Sequence, residues 1–204
     1  GRDFPEFEKR SEVIELRPDM CSLTLSSLNF VNQASLNAPD MVRKLAEKMT
    51  FYGVKPELEC FDLGMINYGK YLIQKGIIEG PQYWNLLFGN IAGYQTKLSH
   101  YAAAVNEVPQ GDFISFGGLG NYQLEANSAA IAMGYGVRVG LEDNIWWDRE
   151  KTKKATNTGL VKRVHNLIQM NQREFLSPAA FASYGCRNES VQAWLKLCHI
   201  QETW

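Results

Sequence analysis

Short apolar runs alternate along the chain with turn signals and stretches of helical periodicity. The runs MCSLTL (20–25), ELECF (57–61), YWNLLF (83–88), FISF (113–116) and GVRVGL (136–141) read as strands. Between them, Met41, Val42, Leu45 and Met49 share one helix face, with Pro39 near the start and Gly53 as the stop. Met65, Tyr68, Tyr71 and Leu72 share another, stopped by Gly76, and Leu98, Tyr101, Ala102 and Val105 repeat the pattern. An Ala-rich helix follows Asn121 and ends at Gly134; Leu160, Val161, Val164, Leu167 and Ile168 mark the helix after the last strand. Ser177-Pro178 reads as an N-cap and first turn. Val191, Trp194, Leu195 and Cys198 predict one more helix in the tail.

Five strands alternating with helices imply a parallel α/β architecture with right-handed crossovers. A doubly wound sheet and a (β/α)8 barrel both fit. No GxGxxG follows the first strand, which weakens a dinucleotide-binding sheet. A complete barrel takes ~250 residues and eight strands, so five units make only part of one. The expected division is a barrel portion over 1–187 and a helical extension over 188–204. A start at Gly1 rather than Met, in the polar stretch GRDFPEFEKR, reads as a cut end.

Alternation within the strands separates an apolar face from a polar one. Val137, Val139 and Leu141 oppose Arg138, Gly140 and Glu142; Leu58 and Cys60 oppose Glu57 and Glu59; Cys21 and Leu23 oppose Ser22 and Thr24. A strand running to 141 would hold Arg138 and Glu142 roughly 13 Å apart at ~3.3 Å per residue, too far to neutralise each other. Buried charges need partners or a metal. Either Arg138 forms a structural ion pair with a strand glutamate, or these groups build an active site at the strands' C-terminal ends, where such barrels place their chemistry. The convergence of carboxylates, an Arg and hydroxyls favours the second. In Glu142-Asp143, one carboxylate could bind a metal while its neighbour acts as base. GGLGN (117–121) reads as a tight βα turn, or as an anion-wrapping helix start. Trp146-Trp147 is a lid or a substrate wall. His100, His165 and His199 fall in helical patterns away from the strand ends.

With 45% hydrophobic and 21% charged residues the composition is globular, which excludes a disordered or collagen-like chain. No run approaches the roughly 18 apolar residues of a membrane helix. The formal net charge of −1 gives no electrostatic case for nucleic acid or an anionic membrane. Four irregularly spaced cysteines without a CxxC predict reduced thiols and a cytoplasmic protein.

RPDMCSLTLSSLNF, KPELECFDLGMI and VRVGLEDNIW, with GGLG and SPAAF, together resemble the beta-keto acid cleavage enzymes, over roughly residues 12 to 185. The resemblance implies a TIM (β/α)8 barrel, of which this chain carries about the last five β/α units. It implies a divalent metal, zinc, and acetyl-CoA as co-substrate: a beta-keto acid and acetyl-CoA give acetoacetate and a new acyl-CoA. Glu142 is then the metal ligand, and Asp143 takes part in proton transfer, tuned by Arg138. Ser22 lines the substrate's reacting end and Glu59 faces its distal group, with Glu57 the weaker candidate. The family's His-x-His metal pair is not present, so two His ligands are expected on a missing N-terminal part. A homo-oligomer acting on small molecules is expected. The alternatives are a non-catalytic association chain and a different metal-dependent aldolase on the same barrel.

Overall fold

The computed structural model describes residues 4–186; the helix expected within 188–204 lies outside them. Five strands form one sheet: β1 (Met20–Thr24), β2 (Lys55–Cys60), β3 (Tyr83–Phe88), β4 (Phe113–Gly118) and β5 (Gly136–Val137). They lie side by side in chain order, and every neighbouring pair is parallel. Sequential parallel order with right-handed crossovers stacks the connecting helices on one side of the sheet. That is the arrangement of a barrel wall, not of a doubly wound sheet, so the expected fold class holds.

The five longest helices are α1 (Pro39–Tyr52), α2 (Leu63–Gln74), α3 (Leu98–Glu107), α4 (Gln123–Met133) and α5 (Asn157–Met170). Their ends follow local chemistry. Pro39 opens α1, and Gly53, at φ 71°, closes it by donating its N–H to the Met49 and Thr50 carbonyls. Asp62 caps α2 by accepting from Met65 N at 2.9 Å. Ser177 caps a short helix, Pro178–Phe181, as its sequence predicts. No helix among the described residues is long and apolar enough to cross a membrane.

The apolar strand face packs under the helices as one cluster: Leu23, Leu58, Cys60, Trp84, Leu86, Phe88 and Phe116 are at most 1% exposed. Each of these Leu and Phe side chains contributes ~1.5–3 kcal/mol by leaving water. Gly69, inside α2, lets the helix close on the sheet, because a Cβ there would stand 2.6 Å from Trp84 Cη2 and 2.9 Å from Leu25 Cδ1. Trp84 is pinned from its far side, its Nε1 donating to Asp112 Oδ2 at 2.7 Å.

One expected strand is much shorter than predicted. β5 leaves the sheet after Val137, and residues 138–144 bend into a turn closed by Asn144 N donating to the Gly140 carbonyl at 3.3 Å. Side chains of neighbouring helices hold the departing backbone. Asn127 Nδ2 donates to the Arg138 carbonyl (2.9 Å) and to that of Phe116 (3.2 Å), Gln123 Nε2 donates to the Gly140 carbonyl (2.8 Å), and Asn157 Oδ1 accepts from Leu141 N (2.9 Å).

Candidate active site

The polar strand face carries a continuous hydrogen-bonded row. Register pairs Ser22 with Glu57, Thr24 with Glu59, Glu59 with Asn85, and Asn85 with Ser115. Ser22 Oγ donates to Glu57 Oε2 (2.6 Å), Thr24 Oγ1 to Glu59 Oε2 (2.7 Å), Asn85 Nδ2 to Glu57 Oε1 (2.7 Å), and Ser115 Oγ to Asn85 Oδ1 (3.0 Å). Asn85 and Ser115 are fully buried. Neither is among the residues that the sequence pattern picked out. The available signal was a lone polar residue inside each of the apolar runs YWNLLF and FISF.

Arg138 closes the row. Its guanidinium meets Glu59 Oε1 at 2.6 Å and Glu57 Oε1 at 3.6 Å on one side, and Asp143 Oδ2 at 3.1 Å and Glu142 Oε2 at 3.0 Å on the other. The expected 13 Å separation of Arg138 from Glu142 is therefore wrong. It assumed an extended strand to 141, whereas the turn after Val137 folds Glu142 back onto the guanidinium. The ion pair of Arg138 with a strand glutamate, weighed as the structural alternative, is present alongside the convergence at the strand ends.

Burial separates the four carboxylates. The Asp143 side chain is 5% exposed and that of Glu142 is 83% exposed. Burial pushes the Asp143 carboxyl above its ordinary range, and the Arg138 guanidinium opposes that rise without cancelling it. Burial also pulls on Arg138, but Asp143, Glu59 and Glu142 outweigh it and hold the guanidinium's pKa above its usual value. The result is a fixed, desolvated carboxylate beside a permanent cation. Such a group suits proton transfer.

Among the described residues no three His, Cys, Asp or Glu side chains stand close enough to hold a metal ion. Glu142 alone supplies one carboxylate, against about three protein ligands in a catalytic zinc site. His100 Nδ1 accepts from Gln95 N at 2.9 Å, and His165 stacks on Phe175 with centroids 4.6 Å apart. His199 lies outside the described residues. Cys21 and Cys60 are free thiols.

GGLGN is a tight βα turn. A Cβ at Gly118 would lie 2.4 Å from the Tyr122 carbonyl oxygen, and the Gly120 N–H is committed to the Asp143 carbonyl at 2.7 Å. Trp146 and Trp147 both sit under cations of the chain itself. Lys154 Nζ stands 3.7 Å from the Trp146 ring centre, and Arg163 and Lys153 stand 4.6 and 5.6 Å from that of Trp147.

The chain matches the beta-keto acid cleavage enzyme family over residues 1–183. It is 34% identical over 173 residues to the 3-dehydrocarnitine:acetyl-CoA trimethylamine transferase of Rhizobium meliloti, covering 84% of this chain and 57% of the relative. It is 30% identical to the 3-keto-5-aminohexanoate cleavage enzyme of Fusobacterium nucleatum (83% and 62% covered). It is 33% identical to the 3-oxoadipate:acetyl-CoA acetyltransferase of Cupriavidus necator (79% and 57% covered). The chain thus spans about three-fifths of the length of these curated relatives. In shape it resembles ObcA, solved as a ternary complex with a C4-CoA adduct and oxalate, with a TM-score of 0.63 at 19% identity, covering 80% of this chain and 44% of that one.

Proposed function

The chain belongs to the beta-keto acid cleavage enzyme family, and from that premise we propose that the protein carrying it converts a beta-keto acid and acetyl-CoA to acetoacetate and a new acyl-CoA. The observation that supports this most is Arg138, gripping Asp143 on one side and Glu59 on the other at the C-terminal end of the sheet. Asp143 takes a proton from the carbon between the keto and carboxyl groups. The resulting enolate carbon attacks the acetyl thioester and expels the CoA thiolate. That thiolate attacks the keto carbon of the adduct, the carbon–carbon bond breaks, and acetoacetate departs with the returned proton. Arg138 keeps Asp143 aimed and balances its charge. Ser22 and Glu59 line the substrate.

Zinc belongs to this reading only through Glu142. The described residues do not make up a zinc centre among themselves. Glu142→Gln tests its part, with loss of bound metal as the expected result. A cytoplasmic setting suits the free thiols of Cys21 and Cys60.

One guanidinium among four carboxylates leaves a formal excess of three negative charges. This favours a beta-keto acid with a cationic tail, such as an amino or trimethylammonium group, over one with a second carboxylate. Arg138 already pairs with Glu59, but it does not neutralise the cluster. The test supplies the natural protein carrying this chain with acetyl-CoA and either a cationic beta-keto acid or its neutral isostere, and measures acetoacetate and acyl-CoA by mass spectrometry. The cationic compound should be preferred by about tenfold, equivalent to ~1.4 kcal/mol, and Glu59→Gln should reduce that preference. Equal rates would end the cationic reading. Absence of acyl-CoA product from every beta-keto acid would end the functional one.

A further inference from the structure

A cavity of about 240 Å³, lined by none of the residues of the Arg138 cluster, lies between the loops that follow β4 and β5. Its walls include Asn121, Ser128 and Asn144, the Trp147 ring, and two guanidiniums, Arg149 and Arg163. The two arginines differ. Arg149 pairs with Glu125, which also accepts from Thr96. Arg163 has no carboxylate within ion-pair distance among the described residues; its one hydrogen bond runs from Nη1 to the Trp147 carbonyl at 2.9 Å. A guanidinium carries five N–H donors, so among the described residues most of this fork has no hydrogen-bond acceptor, while its face lies over the Trp147 ring, 4.6 Å from the ring centre. Arg163 is also partly desolvated, and burial lowers its pKa.

A cation withdrawn from water without a counter-ion costs free energy that an anionic ligand would recover. The surroundings add to the positive side. Lys151, Lys153 and Lys154 stand on the same loop, and no carboxylate lies within ion-pair distance of any of them among the described residues. Lys153 and Lys154 lie over the two indoles, which hold their ammoniums at the surface. Asp148, an acidic wall residue like Glu125, is consumed by its own turn: it accepts from Thr152 Oγ1 and from the backbone N–H groups of Thr152 and Lys153. The position is also meaningful. Barrels of this type frequently bind phosphate in the loops after their last two strands, and β4 and β5 are the last two strands described here.

We propose that this cavity binds a phosphate group, held by Arg163 with Asn121 and Asn144 beside it, and that the phosphate belongs to the CoA thioester. The second half of the statement rests on the function proposed above; the first half does not. CoA suits the site because its phosphates sit at the far end of a long pantetheine arm. Anchoring them here, at the strands' C-terminal side, leaves the thioester free to reach toward Asp143. The Lys151–Lys154 stretch would meet the remaining phosphate charge.

The test is a set of calorimetric titrations of the natural protein with CoA, 3′-phosphoadenosine 5′-phosphate, pantetheine and inorganic phosphate. Wild type should bind CoA at least tenfold more tightly than pantetheine. 3′-Phosphoadenosine 5′-phosphate should compete with CoA, and added salt should weaken both. Arg163→Gln should lose about tenfold in CoA affinity and leave pantetheine unchanged. Because Arg163 also supports the Trp147 carbonyl, Lys153→Ala/Lys154→Ala serves as a second variant. It should weaken CoA by a smaller factor with the Arg163 cavity intact. Equal affinity for CoA and pantetheine in wild type would overturn the proposal, as would full CoA affinity in a folded Arg163→Gln protein. Inorganic phosphate bound through Arg163 without competing with CoA would overturn its assignment to CoA. A protein that binds CoA through Arg163 yet cleaves no beta-keto acid would keep this inference and remove the proposed function.

Discussion

β2 and β5 deliver charged side chains to the same cluster by opposite means. β2 is a full six-residue strand, and its alternation sets Glu57 and Glu59 on one face, two residues apart, in register with Ser22 and Thr24. β5 pairs over two residues and then leaves the ladder. The backbone freed there turns at Gly140, and that turn brings Glu142 and Asp143 around the guanidinium of Arg138. A regular strand cannot put residues i and i+4 on one side chain, since it spaces them by ~13 Å. A strand that stops early can. The rigid side of the cluster is therefore ladder-held, and the side carrying the proposed base is held by helix side chains.

The sharpest way to break this comparison is to remove the group both sides share. Arg138→Met should destabilise the protein by about 3–5 kcal/mol, because Glu59 and Asp143 are left buried without a cation. Urea denaturation reads it. A loss under about 1 kcal/mol would mean that the two sides stand independently.

Asn127→Leu attacks the β5 side alone. It removes the donor to the Arg138 and Phe116 carbonyls and should cost about 1–3 kcal/mol. Asp143 should become more accessible while β2 keeps its protection in amide hydrogen exchange. Equal loss of protection in β2 would contradict a separately supported turn.

The smallest effect is one of pH. The folded Asp143 carboxyl has a raised pKa, so between the ordinary value near ~3.9 and the raised one the folded state binds more protons than the unfolded state. This contribution to stability is greatest below that window and is lost as pH rises through it. Denaturation midpoints of wild type, relative to Asp143→Asn, should therefore fall with rising pH and then level off. Turnover should run the other way, rising as Asp143 ionises. A relative midpoint that climbs with pH would mean that Arg138 outweighs burial.

Much of this was legible in the chain. Short apolar runs between turn signals located β1 to β4 within a few residues, and period-two alternation set Glu57 and Glu59 on one face of β2 and Ser22 and Thr24 on one face of β1, because strand alternation is a local property. The helix stops were equally local, since Gly53 and Gly134 adopt the positive φ that favours glycine. The course after Val137 was not legible. Val139 and Leu141 continue the alternation on paper, but Gln123, Asn127 and Asn157 divert the backbone from two other helices, and no period in the sequence encodes contacts of that range. Asn85 and Ser115 escaped for a related reason: a single polar residue in an apolar run reveals its purpose only once its cross-strand partner is known.

The contact between Gly69 and Trp84 also bears on how such a chain changes over generations. Glycine in mid-helix costs about 1 kcal/mol relative to alanine, so drift toward alanine at 69 should be easy. It is not, because the new methyl would meet the indole, and Asp112 keeps the indole from sliding aside. Shrinking Trp84 first opens a core void, at ~3–5 kcal/mol. Each first step is deleterious, and a smaller side chain at 84 relieves the closest clash that a methyl at 69 creates. The two positions are thus epistatic, and among descendants of this sequence their substitutions should appear jointly or not at all.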